Sequence, residues 1–253
     1  MCTMNDVQQL PPAKTNGEHG KRRRLTRAIK ICLGIAALLV LLWWIGVFGG
    51  NVRVVTPGVM YRSAQLTGNN YTADTARWFG HGFRQTLKKY HIKTVINLRG
   101  GGMSNDYYRD EVRETQALGA VHVDIPMSAR HLPPPSSLKK LIHVFDRDPY
   151  PMIFHCQGGS DRSGLVGTLF LAMKEKVPLN QAEDQQLTMR YGHFGFTSTG
   201  AMNRFFDLYR QTAHGMAIRQ WILLEYPSVY LKTTHSPDAN GPTDQPASSA
   251  SKQ

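Results

Sequence analysis

His155-Cys156-Gln157-Gly158-Gly159-Ser160-Asp161-Arg162-Ser163-Gly164 is the stretch from which the rest of this chain is best understood. An ordinary thiol ionises near pH 8.5, so a nucleophilic cysteine must be pushed toward thiolate to attack at neutral pH. A tight loop that leaves a strand and opens a helix does this, because it aims several backbone N–H groups and the positive helix end at one point. That point suits a thiolate and a phosphate dianion alike. Five residues separate Cys156 from Arg162, which lets the loop close until a planar guanidinium grips two phosphate oxygens, a fork that lysine cannot supply. Gly158 and Gly159 permit the curvature.

The flanks supply the context that this chemistry requires. Residues 151–154 form a short apolar run that suits a buried strand, and residues 165–173 suit a packed helix. Working outward, residues 52–55 and 59–63 are expected as strands about the turn Thr56-Pro57-Gly58, and residues 94–99 and 121–126 as two more. Helices are expected over 72–90, with Thr72 or Asp74 as N-cap and Trp78, Phe79, Phe83 and Leu87 on an apolar face, and over 106–118 with Gly119 as its stop. Further helices are expected over 138–145, 181–191 and about 201–225. Strands alternating with helices predict an α/β fold, a mainly parallel central sheet flanked by helices, with the Cys156 loop at its carboxyl edge.

The decapeptide, together with Tyr61-Arg62-Ser63-Ala64-Gln65, Val95-Ile96-Asn97-Leu98-Arg99 and the loop after Asp124-Ile125-Pro126-Met127, resembles the cysteine-dependent tyrosine and dual-specificity phosphatases, in particular bacterial ones. The likeness covers roughly residues 52–230. It implies Cys156 as nucleophile, Arg162 as phosphate clamp, Ser163 as a hydrogen-bond donor to the sulfur, and Gln157, Gly158, Gly159, Ser160, Asp161 and Arg162 as the phosphate cradle. His155 would support the loop from behind. Arg62 and Arg99 would either line the site or serve as surface arginines. The route through a cysteinyl phosphate uses no metal or other cofactor.

One part of the family pattern is missing. The loop of residues 128–135, where such enzymes carry an aspartate general acid, contains no carboxylate. A poor alkoxide leaving group still needs a proton. Asp161, inside the cradle and placed as in myotubularin-like lipid phosphatases, is the first candidate. Asp124, in the preceding strand, is the second, and His131 or no dedicated acid is the remaining choice. The cradle's variable positions carry no lysine or arginine, which argues against a polyphosphoinositide, since extra phosphates want extra cations. Phosphotyrosine proteins come first as substrate and membrane lipid phosphates second. A phosphate-binding pseudophosphatase scaffold is disfavoured by the presence of both Cys156 and Arg162, and a rhodanese-like sulfurtransferase by the arginine and serine that follow.

The chain begins differently from the way it continues. Lys21, Arg22, Arg23, Arg24, Arg27 and Lys30 form a basic block, after which residues 31–48 contain no charge. Eighteen such residues lie at the lower edge of what crosses a core of about 30 Å, and Trp43 and Trp44 fall near the far end, where interfacial aromatics are common. A signal peptide is the competing reading, but residues 46–50 make a poor cleavage site. The expected organisation is a basic, disordered segment over 1–28, a transmembrane anchor over 29–49, the phosphatase domain over 50–231 and a flexible tail over 232–253. The positive-inside rule then gives a single-pass protein of the inner (plasma) membrane, its catalytic domain on the periplasmic or other extracytoplasmic side. Of three cysteines only Cys156 belongs to the globular part, so no internal disulfide can trap it. Net charge is +12, of which residues 1–30 hold +5, seven Lys or Arg against Asp6 and Glu18. The remainder suits phosphate-bearing substrates or anionic head groups. No nucleic-acid motif accompanies it, so nucleic acid is not an expected partner.

Overall fold

The computed structural model describes residues 16–234, so the expectations for residues 1–15 and 235–253 lie outside the described residues. The chain divides into two compact units between Trp44 and Ile45. Helix α1, Asn16–Phe48, takes in the whole basic block and the apolar run, so residues 16–28, expected to be disordered, are helical. Its stretch Arg24–Gly46, 23 residues with none buried, is long and apolar enough to cross a membrane. At 1.5 Å per residue it covers about 35 Å, against a core of about 30 Å.

In the second unit, strands β1 (Arg53–Thr56) and β2 (Met60–Ser63) form an antiparallel hairpin. Helices α2 (Tyr71–Trp78) and α3 (Phe83–Lys89) lead to β3 (Thr94–Asn97), α4 (Asp106–Ala117) to β4 (Val121–Asp124), and α5 (Pro135–Arg147) to β5 (Met152–His155). Beyond β5 come α6 (Asp161–Met173), α7 (Leu179–Gln186), a 3-10 turn at Met189–Tyr191, α8 (Ala201–Thr212), α9 (Ile218–Leu224) and α10 (Tyr226–Thr234). The sheet order is β1-β2-β5-β3-β4, parallel throughout except for the first pair. The α/β architecture is therefore the expected one.

Because side chains alternate along a strand, β2, β3 and β5 supply two cores. Met60, Ile96 and Phe154 point into the larger, with Leu138, Leu141 and Phe145 of α5 and Leu165, Val166 and Leu169 of α6. Tyr61, Val95 and Ile153 point into the smaller, with Ala76 of α2 and Phe83 and Leu87 of α3. Strand β5 is thus covered on both faces and paired on both edges. Nothing frays at the strand that ends in His155.

Several expectations need correction, among them the helix over 181–191, which ends at Gln186 and is followed by the separate 3-10 turn. The single helix over 72–90 is two, because Gly80 takes φ +73° and breaks the register. With the break the apolar face fails at its centre: Trp78 is 90% exposed and Phe79 half so, while Phe83 and Leu87 are buried. The N-cap is Asn70, whose side chain accepts from Ala73 N–H, in place of Thr72 or Asp74. The helix expected over 201–225 is also divided, at Ala213 to Ala217, where His214 takes φ +47°. Helix α10 extends through Thr234, so residues 232–234 are helical.

Candidate active site

The loop of residues 156–160 joins the end of β5 to α6, between the two neighbouring strands β2 and β3. Its shape follows from what happens to its carbonyls. Gln157 O accepts from Gln65 N–H (3.1 Å), Gly158 O from Asn51 Nδ2 (3.1 Å), Gly159 O from Asn51 Nδ2 (3.2 Å) and Arg62 Nη2 (2.8 Å), and Ser160 O from Arg62 Nη2 (2.9 Å). Four successive carbonyls are held from behind, which turns the intervening N–H groups toward the concave side. Gly159 carries the tightest point: at φ +68°, an added Cβ would lie 2.6 Å from Ala64 N and 2.7 Å from Ser63 O. Only glycine fits there.

The structure brings together the residues read as cradle and nucleophile. Cys156 is 2% exposed. Burial pushes its thiol up, but the Arg162 guanidinium, the Ser163 hydroxyl, and the backbone N–H groups of Ser163 and Gly159 outweigh it and hold the thiol below its ordinary value. Ser163 Oγ is buried, makes no hydrogen bond to oxygen or nitrogen among the described residues, and stands beside the sulfur. Arg162 donates from Nη1 to Met127 O at 3.3 Å, and its buried Nε has no partner among the described residues. A guanidinium with spare donors beside a buried thiol held below its ordinary value is a site prepared for an oxyanion.

The supporting network is largely one that the sequence did not disclose. Arg62, expected at the site or on the surface, is fully buried: Nη1 donates to Gln186 O and Oε1, both at 2.8 Å, and its guanidinium lies 4.7 Å from the Tyr191 ring. Burial pulls it down to about 10, a charge retained at neutral pH. Asn51 takes the left-handed φ of +45° and also donates to Tyr191 O (3.0 Å). Behind His155 lies Glu111, completely buried, with Oε1 3.0 Å from His155 Nε2 and 2.8 Å from His122 Nε2, and Oε2 accepting from Gln65 Nε2 (2.9 Å). Burial raises the Glu111 carboxyl, but His155 and His122 overcome it and hold it at about 2. Arg99 stacks on Tyr107, 3.9 Å from the ring centre. No local pattern marks Asn51 or Glu111, whose partners lie far along the chain. A charged residue at a core-facing position of α4 is the one clue for Glu111.

The two candidate acids have different surroundings. Asp161 Oδ1 lies 2.7 Å from Nδ1 of His193, a residue the sequence reading passed over, and the His193 Nε2 is 2.8 Å from Asn203 Oδ1. His193 is buried, whereas Asp161 keeps a partly exposed edge. Asp124 ends β4, in register with Asn97 and, through it, with His155 two strands away, about 10 Å by strand spacing. Its Oδ2 accepts from Tyr108 Oη at 2.5 Å, a bond that raises the phenol to about 12, with burial and the Asp124 and Glu111 charges adding to it. His131 is exposed and contacts Ser128 Oγ (3.1 Å).

Residues 46–193 match the tyrosine phosphatase family. No curated protein matches the chain. Among solved structures it is similar to the core catalytic domain of the PP-IP phosphatase SIW14 from S. cerevisiae in complex with citrate, at 14% identity over 66% of this chain and 94% of that one, TM-score 0.45. It is also similar to a variant of P. aeruginosa TpbA in complex with pTyr, at 16% identity over 70% and 95%, TM-score 0.43. A third is the active form of Tk-PTP, at 16% identity over 62% and 96%, TM-score 0.42.

Proposed function

The chain belongs to the tyrosine phosphatase family and is a phosphatase of phosphomonoesters, and from that premise we propose that it is anchored in the membrane by α1 and dephosphorylates phosphotyrosine proteins through Cys156. The observation that carries the chemistry is the juxtaposition of a depressed, buried thiol with a guanidinium that has unused donors.

The reaction runs in two displacements. The Cys156 thiolate attacks phosphorus in line, the P–S bond forms and the bond to the leaving oxygen breaks, while Arg162 and the loop N–H groups hold the three equatorial oxygens. Water then attacks phosphorus, and the P–S bond breaks to release inorganic phosphate and restore the thiolate, with the Ser163 hydroxyl donating to the departing sulfur. Asp161 protonates the leaving oxygen in the first step and accepts the proton of water in the second. What favours Asp161 over Asp124 is position: Asp161 adjoins Arg162 at the end of the cradle, with one oxygen fixed by His193, whereas Asp124, held through Oδ2 by Tyr108, ends β4 two strands from β5. The cradle residues Gln157, Gly158, Gly159 and Ser160 act through their backbones, and His155 ties the cradle to Glu111. The absence of cations among residues 157–161 supports an aryl monoester in preference to a multiply phosphorylated head group.

The basic block in the first half of α1, ahead of its apolar run, supports an extracytoplasmic position for the catalytic unit. Two measurements test the reading. Purified full chain should release phosphate faster from a phosphotyrosine peptide than from a phosphoserine peptide or a lipid monoester in the same detergent; lipid preference would reverse the substrate assignment. An enzyme reporter that works only outside the cytoplasm, fused after residue 231, should be active, and a cytoplasmic signal would reverse the topology.

A further inference from the structure

The last turn of α2 carries two adjacent aromatic side chains in water, Trp78 at 90% and Phe79 at 50% exposure, while Ala73, Thr75 and Ala76 on the same helix are buried. An exposed tryptophan beside a half-exposed phenylalanine leaves apolar surface that the described residues do not cover. Its position supplies the partner. An added Cβ on Gly49 would stand 3.6 Å from Phe79 Cδ2, and one on Gly50 would stand 2.8 Å from Ala76 Cβ, so α2 lies directly against the segment that follows Phe48. Arg53 Nη2 donates to Gly46 O at 2.9 Å and closes the end of the apolar stretch. These contacts all fall within the second unit.

Gly46 ends the stretch that is able to span, and Gly49 is three residues on, at most about 11 Å of chain. The polar layer on each side of a bilayer core is about 5–8 Å deep, so Phe79, beside Gly49, is tethered within reach of it. Tryptophan and phenylalanine at that depth bury apolar area while their neighbours stay wet. The neighbours are suitable. His81, two residues past Phe79, is depressed by burial and by the Lys89 and Arg53 charges, so the end of α2 is surrounded by cations that an anionic head group would attract.

We propose that Trp78 and Phe79 insert into the head-group layer of the bilayer that α1 crosses, docking the catalytic unit on the membrane surface; the proposal rests on the anchored reading above. Docking fixes the reach of the active site. Asn51, which holds the rear of the phosphate loop, is five residues past Gly46, a span of at most about 17 Å. The cradle accordingly works within about 20 Å of the membrane, on phosphate esters displayed close to it.

The test uses full-length protein in vesicles of zwitterionic and anionic phospholipid with brominated acyl chains, which quench tryptophan on contact. Trp43→Phe with Trp44→Phe leaves two emitters, Trp78 and the fully buried Trp221. Brominated lipid should lower the emission of this variant by up to about half, and adding Trp78→Phe should abolish the quenching. Equal quenching with and without Trp78, in protein that floats with the vesicles, overturns docking and leaves anchorage standing. Protein that fails to float overturns both. A Trp78 emission that shifts to the blue without quenching, and only at high protein-to-lipid ratio, assigns the patch to a second copy of the chain and also overturns docking.

Discussion

Replacing Asn51 by glycine separates two things this residue does, holding a left-handed backbone and restraining the phosphate loop. Its Nδ2 carries two hydrogens for three carbonyls, Gly158 O at 3.1 Å, Gly159 O at 3.2 Å and Tyr191 O at 3.0 Å. Two buried hydrogen bonds of ordinary quality contribute about 1 kcal/mol each net, and Gly159 O keeps Arg62 as a second donor, so Asn51→Gly should destabilise by about 2 kcal/mol. Glycine accepts φ +45° without strain, whereas Asn51→Ala adds about 1 kcal/mol for the left-handed backbone. Thermal melts should therefore rank wild type, glycine and alanine in that order, with steps of about 2–4 °C per kcal/mol for a unit of this size. Catalysis should not follow the same ranking. With Gly158 O freed, the loop N–H groups lose their aim, and a shift of about 1 Å in the cradle lowers kcat by about a hundredfold. Both variants lose the same amide, so their kcat values should fall together despite different melting points. A wild-type kcat in Asn51→Gly, or kcat losses that track stability across the pair, would refute the role assigned to the amide.

Arg162→Lys keeps the charge and loses the fork, and steady-state kinetics should show kcat down by about a hundredfold with a raised KM. Asp161→Asn should impair alkyl phosphates far more than activated aryl phosphates, and His193→Gln should show the same dependence more weakly; a uniform loss in Asp161→Asn with a leaving-group dependence in Asp124→Asn would transfer the role to Asp124. Glu111 has its folded value held at about 2, below its ordinary 4.5, so its contribution is complete above about pH 4.5 and is lost as pH falls toward 2. Denaturant titrations should find about 3 kcal/mol less stability at the bottom of that window than at the top from this group, and Glu111→Gln should flatten the decline.

What could be read in advance was what the chain encodes locally. The run into His155, the glycines of the turn and the apolar helix after Arg162 follow one another in sequence, so strand, loop and helix were legible together with their chemistry. The hairpin at Thr56-Pro57-Gly58 and the stop at Gly119 were legible for the same reason. Gly80 was not, since a glycine inside a helical period can be tolerated or can break it, and the break here leaves Trp78 outside the core. The restraints on the loop were hidden for a different reason. Arg62 reaches Gln186 across 124 positions and Asn51 reaches Gly159 across 108, and such pairings come from sheet order, which places β5 between strands distant in sequence. Likewise, His193 meets Asp161 only because the segment after α7 returns to the start of α6.

The central claim is that Cys156 carries the phosphoryl group between the two steps. Enzyme quenched in acid during turnover of an aryl phosphate and digested for mass spectrometry should yield one phosphorylated peptide, with the phosphoryl group on Cys156. Cys156→Ser should fold normally, bind substrate, form no adduct and release no phosphate. Steady phosphate release from purified Cys156→Ser, or an adduct on any residue other than Cys156, would contradict the account.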